Sequence, residues 1–342
     1  MSITASNSVA SDRAVLTLAM GPAVYWQMAI NLARSLRRWH RADEMPMTIA
    51  TDQTASLPRD LIGVDVIRIK AGTLGIGFQT KLHLDQLAPA THTLFIDADC
   101  LVYSRLDEAF TRFSGQPVGV LQESIVSHGE YFGDVAAYCR RLGVNAVPRF
   151  TGGIYYVEPA TAIPVYTEAR NLFAQYDELG FVRLRGLQNE EVLLAGAMAR
   201  HNLWGMPDDG TIIGDFQRSP GDFSLDLLRG RRRLSNPPNT DPRHCSFAPV
   251  RSINPMVVHF QAYHTQLPSY RAETAALAWT TRGIPDALAR AIAHACILWP
   301  GKGKSRMKAL LRPVFRRLFG LRAVPPTDRM TADKAPPLPR IP

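Results

Sequence analysis

Two carboxylates separated by one residue, Asp97 and Asp99 around Ala98, follow a short apolar segment that is predicted to be a strand. A strand that ends in Asp-x-Asp carries hard oxygen ligands to the edge of a sheet, where a divalent cation and a phosphorylated ligand can meet. The pattern favours metal-assisted chemistry on a phosphate ester or a nucleotide. The same pattern is also typical of a strand that leaves the core and ends in solvated aspartates. The elements around the motif have to decide between a metal site and a solvated strand end.

Strands that alternate with helices surround this motif. Apolar runs and turn residues predict strands at 14–20, 47–50, 64–69 and 93–96, and helices at 23–39 and 78–87. Further along, the pattern predicts helices at 105–113, 160–176 and 189–201 and strands at 118–121, 150–157 and 257–260. This order predicts an α/β fold with a mainly parallel, doubly wound sheet and helices on both faces.

Several polar residues fall where predicted strands end. Asp52 follows the second strand, Asp97 and Asp99 follow a later one, and His259 lies near the end of the last. Ligands of doubly wound sheets bind outside the carboxyl ends of the strands, so these side chains are expected to converge. Gly152-Gly153 lies within the predicted strand 150–157, where the missing side chains allow close approach of a ligand or of backbone.

Composition predicts one large globular domain with appendages. The chain has 342 residues, of which 46% are hydrophobic and 20% charged. Residues 1–12 are polar, are expected to be flexible, and lack a signal-peptide pattern. No apolar run approaches the length of about 18 residues that a transmembrane helix needs, so a cytoplasmic location is expected. The four cysteines show no CxxC spacing, which indicates neither a zinc site nor a disulfide framework.

The net charge of +9 is concentrated near the C-terminus. Eight Lys and Arg residues and no acid lie between Gly301 and Arg322, and without them the net charge is +1. The segment 286–322 is predicted to be helical, basic and amphipathic, as in helices that lie on anionic membrane surfaces, here the inner face. Alternatively, its apolar stripe packs on the main domain. Nucleic-acid binding is not expected, because the charge is confined to this end.

Two other segments have no regular pattern. Residues 214–251 are rich in Gly, Pro and Arg, and we interpret them as a mobile loop, a lid or acceptor contact, rather than a passive insertion. Residues 323–342 are Pro-rich and are predicted to be disordered. The domain proper is therefore expected to span 13–285.

From about Val15 to His264 the chain resembles the GT-A-type glycosyltransferases of family 8, which include bacterial lipopolysaccharide galactosyl- and glucosyltransferases and the glycogenins. The most specific match is Phe95–Val102. The supporting motifs, in chain order, are Leu18–Gly21, Tyr25, Ser35-Leu36, Lys81, Gly152-Gly153 and Val258-His259. The resemblance implies a GT-A fold that transfers a hexosyl unit from a nucleotide-sugar, usually UDP-linked, to a glycan or lipid-linked acceptor, with retention of configuration.

The resemblance also implies roles for individual residues. Asp97, Asp99 and His259 would hold a divalent cation together with the donor diphosphate, and the imidazole favours Mn²⁺ over Mg²⁺. The residues implied to contact the nucleotide-sugar are Ala19, Tyr25, Asp52, Lys81, Ala98, Thr151, Gly152, Gly153 and His264.

The acidic segment Asn189-Glu190-Glu191 falls where family members usually have Asp-Gln-Asp, beside the reacting sugar carbon. Glu190 replaces a glutamine there, which makes a carboxylate nucleophile conceivable. The same three residues also suit a helix N-cap followed by acids in the first turn, and both roles are compatible. The chain departs from the family pattern at Thr151, where asparagine is common, and after His259, where a glycine and a lysine are missing.

Two other functions remain open at this point. In a haloacid-dehalogenase-like phosphatase, Asp-x-Asp supplies the nucleophile and the general acid, and a second acidic pair such as Asp208-Asp209 helps to hold Mg²⁺; that motif normally follows the first strand of the core. In a catalytically degenerate GT-A protein, the fold would serve as a carbohydrate-binding or scaffold module.

Overall fold

The computed structural model describes residues 11–184, 186–219, 221–235 and 252–320. Within these ranges, the strands are β1 (Arg13–Ala19), β2 (Met47–Thr51), β3 (Val64–Arg68), β4 (His92–Ile96), β5 (Cys100–Val102), β6 (Val118–Gly119), β7 (Leu121–Val126), β8 (Val147–Phe150), β9 (Ile154–Val157), β10 (Met206–Pro207), β11 (Ile213–Asp215), β12 (Phe223–Asp226), β13 (Arg231–Ser235), β14 (Ser252–Ile253) and β15 (Val257–His259).

The helices in the same ranges are α1 (Ala23–Trp39), α2 (Leu84–Leu87), α3 (Asp107–Phe113), α4 (Val135–Leu142), α5 (Pro159–Ala174), α6 (Glu190–Arg200), α7 (Pro268–Thr280), α8 (Asp286–Ala293) and α9 (Trp299–Phe319). A 3-10 segment, Gly77–His83, precedes α2, so the helix predicted at 78–87 is α-helical only in its last turn.

A six-stranded sheet lies at the centre, in the order β3-β2-β1-β4-β9-β6. β1 pairs in parallel with both β2 and β4, and β2 pairs in parallel with β3, whereas β9 runs antiparallel to its two neighbours. The carboxyl ends of β1, β2 and β4 therefore lie along one edge of the sheet.

Successive residues of β1 face opposite sides of this sheet. Val15 belongs to a buried cluster that includes Leu32 of α1 and Phe110 of α3. Leu16 belongs to a second buried cluster, which contains residues of α4, α5 and α6, such as Val165. The predicted α/β class, with a mainly parallel sheet covered by helices on both faces, is confirmed.

The strand predicted at 150–157 is interrupted. β8 pairs with β7, and β9 pairs with β4 of the central sheet, while the three residues from Thr151 to Gly153 form a turn between them. The two strands thus belong to different sheets, and a change of sheet within one apolar run is hidden from the period-two pattern.

The prediction of an irregular loop over 214–251 is wrong for residues 223–235. β12 and β13 form an antiparallel ladder, and Leu227, Leu228 and Leu234 are buried against α7 residues such as Leu277. These leucines anchor the Arg-rich hairpin, together with the partly buried Leu225, while Arg229, Arg231 and Arg233 are exposed. Residues 236–251 lie outside the described part of the chain.

The C-terminal segment is helical, as predicted, over α8 and α9. A π-helical segment, His294–Leu298, joins them, and α9 continues through Pro313. Among the described residues, no helix is long and apolar enough to cross a membrane. The predicted flexible start lies almost entirely outside the described residues, and the predicted Pro-rich tail lies entirely outside them.

A buried carboxyl group ties α7 to the hairpin. Glu273 Oε2 accepts a hydrogen bond from the backbone N–H of Leu227 at 2.6 Å, and the adjacent Asp226 accepts one from Arg290 at 2.8 Å. Burial, reinforced by the charge of Asp226, raises the pKa of Glu273 to about 7.

We expect Glu273 to make stability fall as pH rises. The ordinary pKa of this group is 4.5, so between pH 4.5 and about 7 the unfolded chain loses a proton that the folded protein keeps. Glu273→Gln preserves an acceptor for Leu227 and removes the titration. The free energy of unfolding in urea, measured at pH 5 and pH 8, should fall by on the order of 2 kcal/mol more in the wild type than in the variant. Glu108→Gln, an exposed control, should keep the wild-type pH dependence.

Candidate active site

The Asp-x-Asp motif forms the turn between β4 and β5. The backbone N–H of Cys100 donates to the carbonyl of Asp97 at 3.0 Å, which closes the turn. The N–H of Asp97 donates to the carbonyl of Gly153, also at 3.0 Å, and so joins the motif to the glycine turn after β8. Both carboxylates therefore lie on well-anchored backbone at the carboxyl edge of the sheet.

His259 reaches the motif through strand pairing. β15 runs antiparallel to β5 with His259 opposite Cys100, and the N–H of Phe260 donates to the carbonyl of Asp99 at 3.1 Å. The His259 Nε2 atom lies 3.2 Å from Oδ1 of Asp99 and 3.9 Å from Oδ2 of Asp97. The predicted convergence of these three side chains is thus observed.

The electrostatic environment of His259 is strongly negative. Burial lowers its pKa, but Asp99, Asp215 and Asp97 outweigh burial and raise the pKa to about 9. At Asp97, burial and the neighbouring Asp99 raise the pKa despite the ion pair with Lys81. Two carboxylates and an imidazole, packed together in a buried and negative environment, are a donor set that fits a hard divalent cation.

Cys100 is a further neighbour of this cluster. A carboxylate oxygen of Asp99, the sulfur of Cys100 and a ring nitrogen of His259 lie within 4.8 Å of one another. Burial and the adjacent aspartates raise the pKa of the thiol well above its ordinary value, so Cys100 stays protonated. A neutral thiol is a poor ligand for a hard cation, and Asp97 is the better third donor.

Lys81 is buried among the acidic groups. Its Nζ lies 2.9 Å from Asp97, 2.8 Å from the carbonyl of Gly152 and 3.1 Å from Oε1 of Glu190. It also lies over the rings of Phe95 and Tyr155, at 5.3 and 5.8 Å from their centroids. Burial lowers the pKa of Lys81, but the carboxylates outweigh it and raise the pKa above its ordinary value, so the ammonium group is charged.

The three residues at the start of α6 combine both predicted features. Asn189 is the N-cap, and its side chain accepts from the N–H of Glu191 at 2.6 Å. Glu190 is 3% exposed and turns toward Lys81, and Tyr155 donates to its Oε1 at 3.3 Å. Its second oxygen, Oε2, is buried without a hydrogen-bond partner among the described residues. Such an atom is costly unless something else contacts it.

Glu191 holds the glycine turn. Its Oε1 accepts from the N–H of Gly152 at 2.8 Å. Burial and the charge of Glu190 raise the pKa of Glu191 to about 8. The contact of Glu191 with the backbone N–H of Gly152 gives it a role in holding the glycine turn.

Gly152 and Gly153 leave room for the acidic and imidazole groups. A Cβ atom at Gly152 would lie 2.8 Å from Glu190 Oε1, and one at Gly153 would lie 2.8 Å from His259 Nδ1. Real Cβ atoms essentially never approach other atoms so closely. The two glycines are therefore required for the packing of the site, which is the close approach that the sequence predicted.

The other predicted donor contacts lie farther along the same edge. Asp52 accepts from the N–H of Gly21 at 3.0 and 3.1 Å, and Thr51 donates to the carbonyl of Ala19 at 2.7 Å, so these residues close the ends of β1 and β2. Tyr25 is 40% exposed in the first turn of α1, and Ala98 is buried between the two aspartates.

His264 has contacts of a different kind. Its Nδ1 lies 3.1 Å from the carbonyl of Gln261, and its ring packs edge-on against Phe216 at 5.8 Å. Phe216 directly follows β11, which pairs with β15. These contacts place His264 beside β11, and neither is with an aspartate of the motif.

A cleft of about 500 Å³, including the open space at its mouth, adjoins His259. Thr151 lies in its wall, donates to Glu123 at 2.7 Å and accepts from Arg218 at 2.7 Å. Arg218 also forms an ion pair with Glu123. The residues that line the cleft are Leu121, Glu123, Thr151, Asp208, Gly210, Ile213, Gly214, Asp215, Arg218, Ser219, Ile253 and His259.

Sequence reasoning missed Glu123, Asp215, Arg218 and Tyr155 as site residues. Asp215 is opposite His259 in the pairing of β11 with β15, and only this pairing brings it to the site. Arg218 lies in the segment 214–251, which the sequence predicts to be a loop. The available signal in the sequence was the apolar pair Ile212-Ile213 followed by Asp215 and Arg218.

The haloacid-dehalogenase arrangement is not observed. The Asp-x-Asp motif follows β4, after three other strands of the sheet. Of the acidic pair Asp208-Asp209, Asp209 is bound to Arg112 and Thr211, while Asp208 accepts from the N–H of Gly210.

We expect Gly153→Ala to disrupt the donor set. The added methyl group would displace His259 from Asp99. Changes to the residues that orient a metal-binding side chain commonly weaken metal affinity by about 10- to 100-fold. Calorimetric titration with Mn²⁺ in the presence of UDP measures this loss. The control is Gly303→Ala, because among the described residues no atom beyond its chain neighbours and its own helix backbone lies within 4 Å of a Cβ atom at Gly303. Unchanged affinity in Gly153→Ala would mean that His259 is not a ligand.

Comparison with known proteins gives one sequence relative and several structural ones. No family model matches the chain. A segment of 126 aligned residues, covering 31% of this chain, is 36% identical to human glycogenin-2. The chain spans about a quarter of the length of that curated relative, 25%.

Solved glycosyltransferases overlap more of the chain at lower identity. The galactosyltransferase LgtC, solved with donor and acceptor sugar analogues, is 12% identical with a TM-score of 0.45, and 73% of this chain and 87% of that chain are covered. Mouse xyloside xylosyltransferase 1 is 14% identical with a TM-score of 0.47, and the alignment covers 74% of this chain and 98% of that chain. The resemblance to the glycogenin group that the motifs indicated is confirmed by the segment shared with glycogenin-2.

Proposed function

We propose that this protein is a metal-dependent glycosyltransferase that moves a hexosyl unit from a UDP-sugar to a glycan or lipid-linked acceptor, in the cytoplasm, with retention of configuration. The observation that carries the proposal is the convergence of Asp97, Asp99 and His259, with the Nε2 of His259 3.2 Å from Asp99. The segment shared with glycogenin-2 supports the reaction class.

Asp97, Asp99 and His259 would hold the cation, and the imidazole favours Mn²⁺ over Mg²⁺. When bound, the cation would neutralise negative charge on the donor diphosphate and so make it a better leaving group. The raised pKa of His259 agrees with this role, because the same negative environment that holds a proton on the imidazole would hold a cation beside it.

Lys81 favours the ionised forms of Asp97 and Glu190. Its charge opposes the effect of burial on the pKa values of both Asp97 and Glu190. It also fixes the positions of both carboxylates, because Nζ contacts Asp97, Glu190 and the carbonyl of Gly152 together. We assign Lys81 a positioning role that extends to the donor phosphate.

The transfer itself breaks the bond between the anomeric carbon and a diphosphate oxygen. The acceptor hydroxyl oxygen forms the new bond to that carbon, and the hydroxyl proton passes to the departing diphosphate. Positive charge develops on the sugar ring as the first bond breaks, and a preoriented carboxylate stabilises such charge. We assign this role to Glu190, whose Oε2 has no hydrogen-bond partner among the described residues. Asn189 and Glu191 position it through the helix cap and the Gly152 contact.

The donor and the acceptor are assigned to different parts of the edge. Ala19, Tyr25 and Asp52 lie at the ends of β1 and β2, where we place the base and the ribose. Thr151, Gly152, Gly153 and Ala98 line the diphosphate side, and His264 is a candidate second diphosphate contact. The cleft beside His259 contains three carboxylates, of Glu123, Asp208 and Asp215, which suit the hydroxyl groups of an acceptor sugar.

We expect UDP to stabilise the protein only when Mn²⁺ is present. A ligand that binds the folded state stabilises it by about 2.7 kcal/mol at a hundredfold excess over its Kd, which thermal unfolding detects readily. Asp99→Asn should abolish the Mn²⁺-dependent part, whereas the exposed control Asp65→Asn should retain it. A panel of nucleotide-sugars in which none gives Mn²⁺-dependent stabilisation would contradict the proposal and would favour a degenerate, non-catalytic protein.

We expect Glu190→Gln to separate binding from transfer. The amide keeps the size of the side chain but lacks the negative charge, so kcat, measured as UDP release from the active sugar donor, should fall by about a hundredfold or more. Mn²⁺-dependent stabilisation by UDP should persist. Glu178→Gln, on the surface, is the control for the substitution. If Glu190→Gln retains the wild-type kcat, Glu190 has no role in the chemical step.

A further inference from the structure

The C-terminal helix α9 exposes both an apolar face and a basic face. In the part of the chain that the structure describes, α9 contains no buried residue. The large apolar side chains on it are between 53% and 78% exposed, namely Met307, Leu310, Leu311, Val314, Phe315, Leu318, Phe319 and the first residue, Trp299. The alternative in which the apolar stripe packs on the main domain is therefore wrong.

Most apolar and basic residues of α9 lie on different faces. At about 100° per residue, six of the eight apolar positions fall within about 140° of the circumference, namely Met307, Leu310, Leu311, Val314, Phe315 and Leu318. The remaining arc holds six cations, namely Lys302, Arg306, Lys308, Arg312, Arg316 and Arg317, and Lys304 is the one cation of α9 inside the apolar arc. An apolar face bordered by cations is the pattern of a helix that lies in the plane of a membrane interface.

The basic surface continues onto the hairpin formed by β12 and β13. Lys302, in the first turn of α9, lies 5.7 Å from the ring centroid of Phe223 in β12. β13 pairs with β12 and carries Arg231 and Arg233, both exposed. Phe223 itself is 36% exposed, so the hairpin repeats the combination of aromatic and cationic groups found on the helix.

We propose that α9 and the adjoining hairpin form a docking surface for the headgroup region of an anionic membrane. Charge complementarity selects this occupant. A second copy of the chain would bring two sets of at least five cations together, which is unfavourable. The chain's own residues 321–342 carry four basic and two acidic side chains and cannot neutralise the surface. Anionic headgroups satisfy the cations while the acyl boundary covers the apolar face.

Co-sedimentation of the full chain with lipid vesicles tests the proposal without any activity measurement, so its failure is distinct from failure of the proposed transfer reaction. Vesicles of phosphatidylcholine with about a third phosphatidylglycerol should bind at least about tenfold more protein than phosphatidylcholine alone, and about 0.5 M NaCl should release it. Equal binding to both vesicles, or no binding to either, would overturn the proposal.

Variants locate the surface. Leu310→Glu with Phe315→Glu should reduce binding to anionic vesicles by tenfold or more, and Arg312→Gln with Arg316→Gln should reduce both binding and its salt dependence. The matched control adds two acids to exposed isoleucines elsewhere, Ile62→Glu with Ile163→Glu, and should bind within about twofold of wild type. The proposal would be refuted if the protein did not bind vesicles and instead formed a concentration-dependent dimer that the Leu310 and Phe315 substitutions abolish. That result would assign the exposed face of α9 to contact with a second copy of the chain.

Discussion

The burial of several carboxyl groups around one ammonium group is the constraint on which the site depends. Asp97, Glu190 and Glu191 all have raised pKa values because they are withdrawn from water. Isolated buried charges are so unfavourable that such a cluster exists only with a compensating cation, and Lys81 lies at its centre. The glycine turn after β8 follows from the same constraint, because only glycine leaves space for groups packed this tightly.

The same cluster connects four separate elements of the fold. The ammonium group of Lys81 comes from a 3-10 segment, Asp97 from the end of β4, the carbonyl of Gly152 from a turn, and Glu190 from the start of α6. A change in any of these elements alters the position of the ammonium group and therefore the charge of the others. The arrangement is polar and specific, unlike the two apolar clusters that cover the sheet.

Local patterns predicted the elements whose signal lies within a few residues. The strand before Asp97, the helix after Gly21 and the cap at Asn189 are all present, because apolar period and capping chemistry act locally. Pairings between distant strands carry no such signal. The contact of Asp215 with the site and the change of sheet at Thr151 depend on tertiary packing and were missed. The hairpin at 223–235 is local, but it was missed because its strands lack a regular apolar alternation. The meeting of His259 with Asp99 was expected because both lie at the ends of predicted strands, and the family resemblance added their role as ligands; the pairing of β15 with β5 supplies the physical cause.

The antiparallel pairing of β15 with β5 also bears on how the protein acquires its site. His259 and Cys100 are distant in the chain, and closing so long a loop is entropically slow, so this pairing is expected among the late events of folding. Intermediates with a complete central sheet would then lack the histidine and expose the acidic turn. A cation that prefers the full donor set would bind only the finished fold, so metal uptake would report the completion of folding.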